Sequence, residues 1–368
     1  MVAPTRPPRN GFNTFMRRIY NPIGFSKAYN FILWFIFAGA FFGFTLSRLM
    51  YLNLYGIFCA ADAGGGGAAP GECYYYLGFT QEKIGIILHL GGVLPASILA
   101  VIQFIPAVRH RAIIVHRING YLALLLYVVS LVGVFMIARH AFGGGLDIQS
   151  WIGTLAIMTM GSFVLAWVNI KRLQIEEHRA WMLRGWFYAG CIITIRFIMI
   201  ISAIIVSSLG TYYTSRPCAQ LAYIYSNSST PTTDFYPICE AYFDGSNPTQ
   251  EAVVKANMDG EDPNQIGVAL GMSFGMACWV ALAIHAIGVE VYLHLTPRET
   301  ERLRKVSYQR QLEAGMSNPG SAGLVVQKYG DAEPWIYKEE GWESKAKRGS
   351  GLDTVDEDTW RRSSDVML

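Results

Sequence analysis

Apolar residues along this chain come in six long blocks separated by polar stretches, at roughly 30–50, 84–107, 118–139, 150–170, 186–209 and 266–295. The first reads FILWFIFAGAFFGFTL, and the fourth has no charged residue between Trp151 and Val168. About 20 apolar residues suffice to cross the hydrocarbon of a bilayer. A helix that is apolar all round has no face to offer water. The pattern therefore predicts an all-α fold, a polytopic six-helix transmembrane bundle. Short connections between most blocks imply antiparallel neighbours. Two connections are long, 51–83 and 210–265. The expected organisation is an amino-terminal segment 1–29, a six-span membrane domain 30–296 and a carboxy-terminal region 297–368. Thr296-Pro297-Arg298-Glu299 reads as a capping box with Pro at the first helical position. It should start a polar helix along the membrane interface. After Gly315 the mixed-charge tail lacks apolar periodicity, which predicts disorder.

Composition agrees: 52% of the 368 residues are hydrophobic and 15% charged, where soluble domains carry about 25% charged residues. The first apolar block is too long for a cleavable signal and should stay as a signal anchor. Lys and Arg number five in 1–29, three in 108–117, four in 171–185 and twelve after Pro297, so 24 of the 30 fall on one side. By the positive-inside rule both termini are expected in the cytoplasm. Cys59, Cys73, Cys218 and Cys239 fall in the two long loops on the other side, as does the sequon Asn227-Ser228-Ser229. Disulfides and N-glycans both belong to the lumenal or extracellular face. Pairing among these four is expected, with Cys59–Cys73 and Cys218–Cys239 the local connectivity among the alternatives. The sequon suggests a eukaryote, and the membrane is the plasma membrane or an endomembrane. Cys191 and Cys278 lie within spans and read as packing residues.

Ionisable groups at membrane depth are costly and mark sites. His89 and Gln103 lie fourteen residues apart on one face of the second span. His89 suits either a hydrogen bond to a neighbouring helix or a metal or haem. His116-Arg117 and His178-Arg179, with Arg184 beyond, lie at the basic ends of spans. They read as a belt touching lipid phosphates or as an anionic or haem-propionate pocket. Arg196, eighteen residues past His178 and on its helical face, extends that pocket inward. The last span offers His285, Glu290 and His294. His140, at the far end of the third span, is a weaker candidate, as is His285.

Four pieces carry a resemblance: LHLGGVLPASILAVIQFIPAVRHR, HRINGYLALLLYVV, ARHAFGGG, and EEHRAWMLRGW followed by TIRFIMI. From Leu88 to Ile198 the chain resembles the DUF2306 family of predicted multi-pass membrane proteins, found in bacteria and fungi, and reads as a fungal member. The resemblance rests on His89, Gln103, His116, Arg117, Gly120, His178, Trp181, Met182, Arg184 and Arg196, with Glu290 similar to a glutamate of the last helix. One departure is Tyr121, where many relatives place a basic residue after the glycine. The resemblance implies an architecture and no assigned activity.

Two functional readings follow. Histidines on adjacent helices with arginines nearby suit a b-type haem. His116 and His140, 24 residues apart, would put two haems at opposite membrane edges, so one haem or none fits better. The alternative is an enzyme or binding protein for a lipophilic or anionic small molecule in the bilayer, with a transporter or scaffold as a further reading. No Walker loop, GxSxG elbow or HExxH occurs in a usable context. The net charge of +3 follows from topology and implies no nucleic-acid partner.

Overall fold

The computed structural model describes residues 7–8, 10–25, 27–60 and 67–337. It forms two units, one of residues 1–167 and 178–297, the other of 168–177 and 298–368.

In the first unit an amphipathic helix α1 (Gly11–Tyr20) precedes the first span helix α2 (Ala28–Leu46). The spans continue as α3 (Thr80–Gln103), α4 (Ile113–Ile137) and α5 (Leu146–Lys171). A jointed pair follows, α6 (Ile175–Ala189) and α7 (Cys191–Leu209), and then α8 (Pro263–His294). Among the described residues six helical stretches are thus long and apolar enough to cross a membrane. The chain is an integral multi-pass membrane protein. Large apolar side chains stay exposed along these helices, among them Phe35, Ile118, Leu125, Ile157, Phe197 and Ile287. Facing lipid, they need no burial in protein.

Two boundaries differ from the sequence reading. Residues 171–185, outside the apolar blocks, are largely helix α6, whose mixed polar and apolar positions gave no continuous apolar run. Likewise His116 and Arg117, just before the block that begins at 118, already belong to the first turns of α4.

α3 and α4 pack through small residues. A Cβ at Gly133 would lie 2.4 Å from the Gly85 carbonyl and 2.5 Å from the His89 nitrogen. A Cβ at Gly92 would lie 2.6 Å from the Leu126 carbonyl. Backbones approach this closely only where side chains are absent or small, the usual device for joining helices in lipid. α8 is the most enclosed span, packed with Ile148, Trp151, Cys191, Ile195 and Met199.

On the face carrying the long loops, Cys59 bonds Cys73 and Cys218 bonds Cys239. This is the local option among the pairings that the sequence left open. The second long loop contains a two-stranded antiparallel sheet of β1 (Tyr213–Pro217) and β2 (Glu251–Lys255). Its core includes Leu221, Tyr236, Val254 and Val268. Asp262 caps α8 by accepting from the Asn264 N–H at 2.9 Å, and it also accepts from Tyr225 at 2.6 Å and from Tyr236.

In the second unit, helix α9 (Pro297–Glu313) starts at the proline of the expected capping box. A buried polar network joins it to the turn between α5 and α6. Ser307 donates to Glu176 at 2.5 Å, and Gln311 donates to Gln174 at 2.9 Å. The Leu324 N–H donates to Asn169 at 2.7 Å. The stretch after Gly315, expected to be disordered, folds back on α9 as far as Tyr337. Gly320 accepts from Arg304 at 3.3 Å, and the Tyr337 ring stacks on Tyr308 at 4.6 Å. Hydrogen bonding and aromatic contact hold this segment, neither of which needs the periodicity that a sequence scan detects. Residues 338–368 lie outside the described residues.

Candidate functional site

The candidate polar groups separate into two sets at opposite ends of the spans. The basic-side set contains His116, Arg117, His178, Arg184 and Glu290. His178 Nδ1 is 3.0 Å from the Ala166 carbonyl. A carbonyl only accepts, so Nδ1 carries the proton and the neutral ring leaves Nε2 as its lone-pair nitrogen. His116 lies within electrostatic range of His178, Arg109 and Arg117. Its Nδ1 is buried with no hydrogen-bond partner among the described residues. Leaving such an atom unpaired costs about 1–3 kcal/mol.

Arg184 and Glu290 form a two-pronged ion pair, Nε to Oε1 at 2.6 Å and Nη2 to Oε2 at 2.9 Å. The guanidinium also lies over the Trp181 ring at 4.5 Å. Planar guanidinium and carboxylate match in this geometry, so the pair joins α6 to α8 with a fixed orientation. Arg179 donates to the Tyr292 hydroxyl at 3.3 Å beside it.

The polar seam of α3 turns out to be its packing face on α4. His89 Nδ1 lies 2.9 Å from the Ser130 hydroxyl, and Gln103 donates to the His116 carbonyl at 2.7 Å. Asn119 returns a bond to the Leu99 carbonyl at 2.9 Å. A Cβ at Gly120 would stand 3.2 Å from Gln103 Nε2, so this glycine gives the amide its room. The hydrogen-bonding reading of the seam is the one these contacts support.

Arg196 does not join the basic-side set. It lies over the rings of Phe142 at 4.9 Å and Phe274 at 5.6 Å, beside the connection between α4 and α5. It shares a helical face with His178, but eighteen residues at 1.5 Å each separate them by about 27 Å, most of the hydrocarbon thickness. A shared face does not imply a shared depth. His89 is in electrostatic range of Arg196 and belongs to this second set.

Glu72, Arg216, Tyr76 and Phe142 complete the second set, and no sequence pattern pointed to them. Glu72 is buried, with Oε1 accepting from the Phe142 N–H at 2.5 Å and Oε2 from the Ala69 N–H at 3.0 Å. Burial raises its carboxyl above the usual carboxylate range, against the lowering by those N–H groups and by Arg196 and Arg216. His140, a weaker sequence candidate, accounts for itself locally. It pairs with Glu82 at 3.0 Å and stacks on Tyr75 at 4.1 Å. His285 is also committed: Nδ1 donates to the Phe187 carbonyl at 2.7 Å and Nε2 accepts from Thr194 at 2.8 Å. Among the described residues no three His, Cys, Asp or Glu side chains cluster as a metal site.

Residues 86–226 match the family model DUF2306, described as a predicted membrane protein. The match contains the His89, His116, His178, Arg184 and Arg196 positions and ends before Glu290. No curated protein and no solved structure matches the chain.

Proposed function

We propose that this DUF2306 protein binds a lipophilic, anionic small molecule within the membrane, with His116 and His178 holding its polar end. The observation that carries this reading is the buried Nδ1 of His116, which has no hydrogen-bond partner among the described residues and lies in electrostatic range of His178. His116 and His178 stand on different helices, with Arg109 in electrostatic range of both and Arg117 in range of His116. A hydrogen-bonding group of a ligand would satisfy the unpaired nitrogen, and the arginines would favour negative charge. The Arg184–Glu290 pair fixes α6 against α8 near that end of the membrane.

A second reading, b-type haem, is favoured by one detail. An imidazole whose Nδ1–H is held by a backbone carbonyl presents Nε2 in the orientation used for metal ligation. His178 has this arrangement. His116 would supply the opposite ligand and Arg109 and Arg117 would face propionates; the iron would supply electron transfer.

One experiment separates the readings. The full-length protein is purified in mild detergent after haem-replete expression, its optical spectrum is recorded, and co-purifying small molecules are identified by mass spectrometry. A Soret band that disappears in His178→Ala supports haem. No Soret band, with an anionic amphiphile lost in His116→Leu, supports the binding reading. Neither signal, in wild type and variants of equal stability, refutes both.

The orientation with cytoplasmic termini is part of this proposal. Supporting it are the two disulfides on one face and the exposed Asn227 of the same loop region. Loss of a mobility shift in Asn227→Gln from a glycosylating host would place that face in the lumen or outside. The same reading leaves the plasma membrane or an endomembrane as the location.

A further inference from the structure

The disulfide-bearing face holds two arginines whose positive charge the surrounding protein does not balance. Neither Arg196 nor Arg216 has a hydrogen-bond or ion-pair partner among the described residues. Arg196 meets the rings of Phe142 and Phe274, themselves stacked at 3.9 Å. Arg216, on β1, reaches into space left by two glycines. A Cβ on Gly143 would fall 2.4 Å from its Nη2, and one on Gly271 would fall 3.5 Å away. Gly143 has φ +90°, a conformation that also excludes most side chains.

Acidic groups nearby do not complete the balance. Glu72 is in electrostatic range of both arginines, but its oxygens are turned to the N–H groups of Phe142 and Ala69. Glu251 is in range of Arg216 only; it is exposed and accepts from Ser215 at 2.5 Å. Asp262 is taken by Tyr225, Tyr236 and Asn264. One buried carboxylate thus faces two guanidiniums, and Arg48 adds a third cation in range of Arg196.

Against Arg216 lies a cavity of about 20 Å³, lined also by Glu72, Phe142, Gln220, Asn264 and Gly267. A site needs about 10–15 Å³ to admit one water-sized sphere. This one therefore has room for one water-sized or halide-sized group. Asn264 and Gly267 belong to the first turns of α8, whose dipole presents positive charge there. Water would fill the space but leave the second cation unbalanced, whereas a monovalent anion does both.

We propose that this cavity binds a single halide-sized anion, chloride, with Arg216 as its main contact and Arg196 as a source of field. The anion would tie β1 to the α4–α5 connection and to the first turns of α8. This site is separate from the basic-side set and does not depend on the reading given for it.

The test uses the full chain in detergent, in gluconate buffer at constant ionic strength. Chloride should raise the thermal unfolding midpoint along a saturating curve, bromide should replace it, and sulfate should not. Arg216→Gln should raise the chloride concentration for half effect by about tenfold or more, the scale of a lost charge-assisted contact. Arg310→Gln, an exposed arginine of α9 outside both polar sets, should leave the curve in place. Excess broadening of the ³⁵Cl resonance by wild-type protein, relieved by bromide, gives a readout independent of any variant's folding. A wild-type midpoint indifferent to chloride, an equal response to sulfate, or no ³⁵Cl broadening overturns the proposal.

Discussion

Replacing Gly92 by alanine should separate α3 from α4, whereas the same change at Gly91, one residue away, should not. A Cβ at Gly92 would lie 2.6 Å from the Leu126 carbonyl and 2.8 Å from the Ser130 nitrogen, both backbone atoms of α4. A Cβ at Gly91 meets nothing within 4 Å. Relieving the first contact requires the helices to part by about 0.8 Å to reach an ordinary carbon–oxygen separation. The His89–Ser130 bond, now 2.9 Å, would then stretch beyond hydrogen-bonding reach. Overpacking costs about 1–3 kcal/mol and the lost bond about 0.5–1.5 kcal/mol. The gain from replacing a helical glycine, about 0.5–1 kcal/mol, is common to both variants and cancels in their difference. Gly92→Ala should therefore be about 2–4 kcal/mol less stable than Gly91→Ala. Reversible unfolding in mixed micelles with increasing SDS measures this directly. A difference below about 0.5 kcal/mol would refute the close-packed α3–α4 interface.

Three further outcomes follow from other parts of the molecule. The disulfides close separations of 14 and 21 residues, so the Cys59/Cys73 and Cys218/Cys239 double serine variants should each lose about 3 kcal/mol; calorimetry showing no fall in midpoint for either would contradict this. Burial and Asp262 raise the pKa of Tyr225 and Tyr236 well above the ordinary tyrosine value. Both phenols stay neutral in the folded chain while an unfolded one ionises near about pH 10. Their contribution is thus complete below that pH and lost as pH rises above it. The thermal midpoint should fall between about pH 9 and 11, less steeply in Tyr236→Phe, and an unchanged slope in that variant would count against the assignment. Finally, Arg196→Gln and His178→Ala should be additive within about 0.5 kcal/mol in unfolding free energy, as for distant sites; strong coupling would restore the single pocket read from the sequence.

The fold was legible because lipid imposes a simple rule on composition. All six spans, disulfide pairing among the four loop cysteines and the start of α9 at Pro297 were visible in residue type alone, though the connectivity was not. Helix α6 was not, because its charged residues interrupt the apolar run while leaving the helix intact. His89, His116, His178 and Arg184 stood out as ionisable groups in an apolar setting. Glu72 and Arg216 lie in polar loops, where a carboxylate or guanidinium is ordinary. Their interest arises only when folding buries one and leaves the other unpaired, and that depends on contacts far apart in sequence. Helical phase correctly placed His89 and Gln103 on one face. The same arithmetic put Arg196 on the face of His178, but phase repeats along a helix and depth does not.

The separation by depth bears on what the two polar sets can do together. Between them lie Cys191, Ile195, Cys278, Ala281 and Leu282, all buried and apolar. The histidine at that level is His285, and both of its nitrogens are committed. A proton arriving at Nε2 from Thr194 could leave only through Nδ1, toward the Phe187 carbonyl. A carbonyl has no proton to exchange, so this link ends there unless α7 and α8 shift. If the two proposed ligands bind, each face would therefore act on its own, the histidines on the basic side and the arginines on the disulfide-bearing side. Any transfer between the two would require the Thr194–His285–Phe187 chain to break, which makes Thr194→Val the substitution that tests coupling without touching either set.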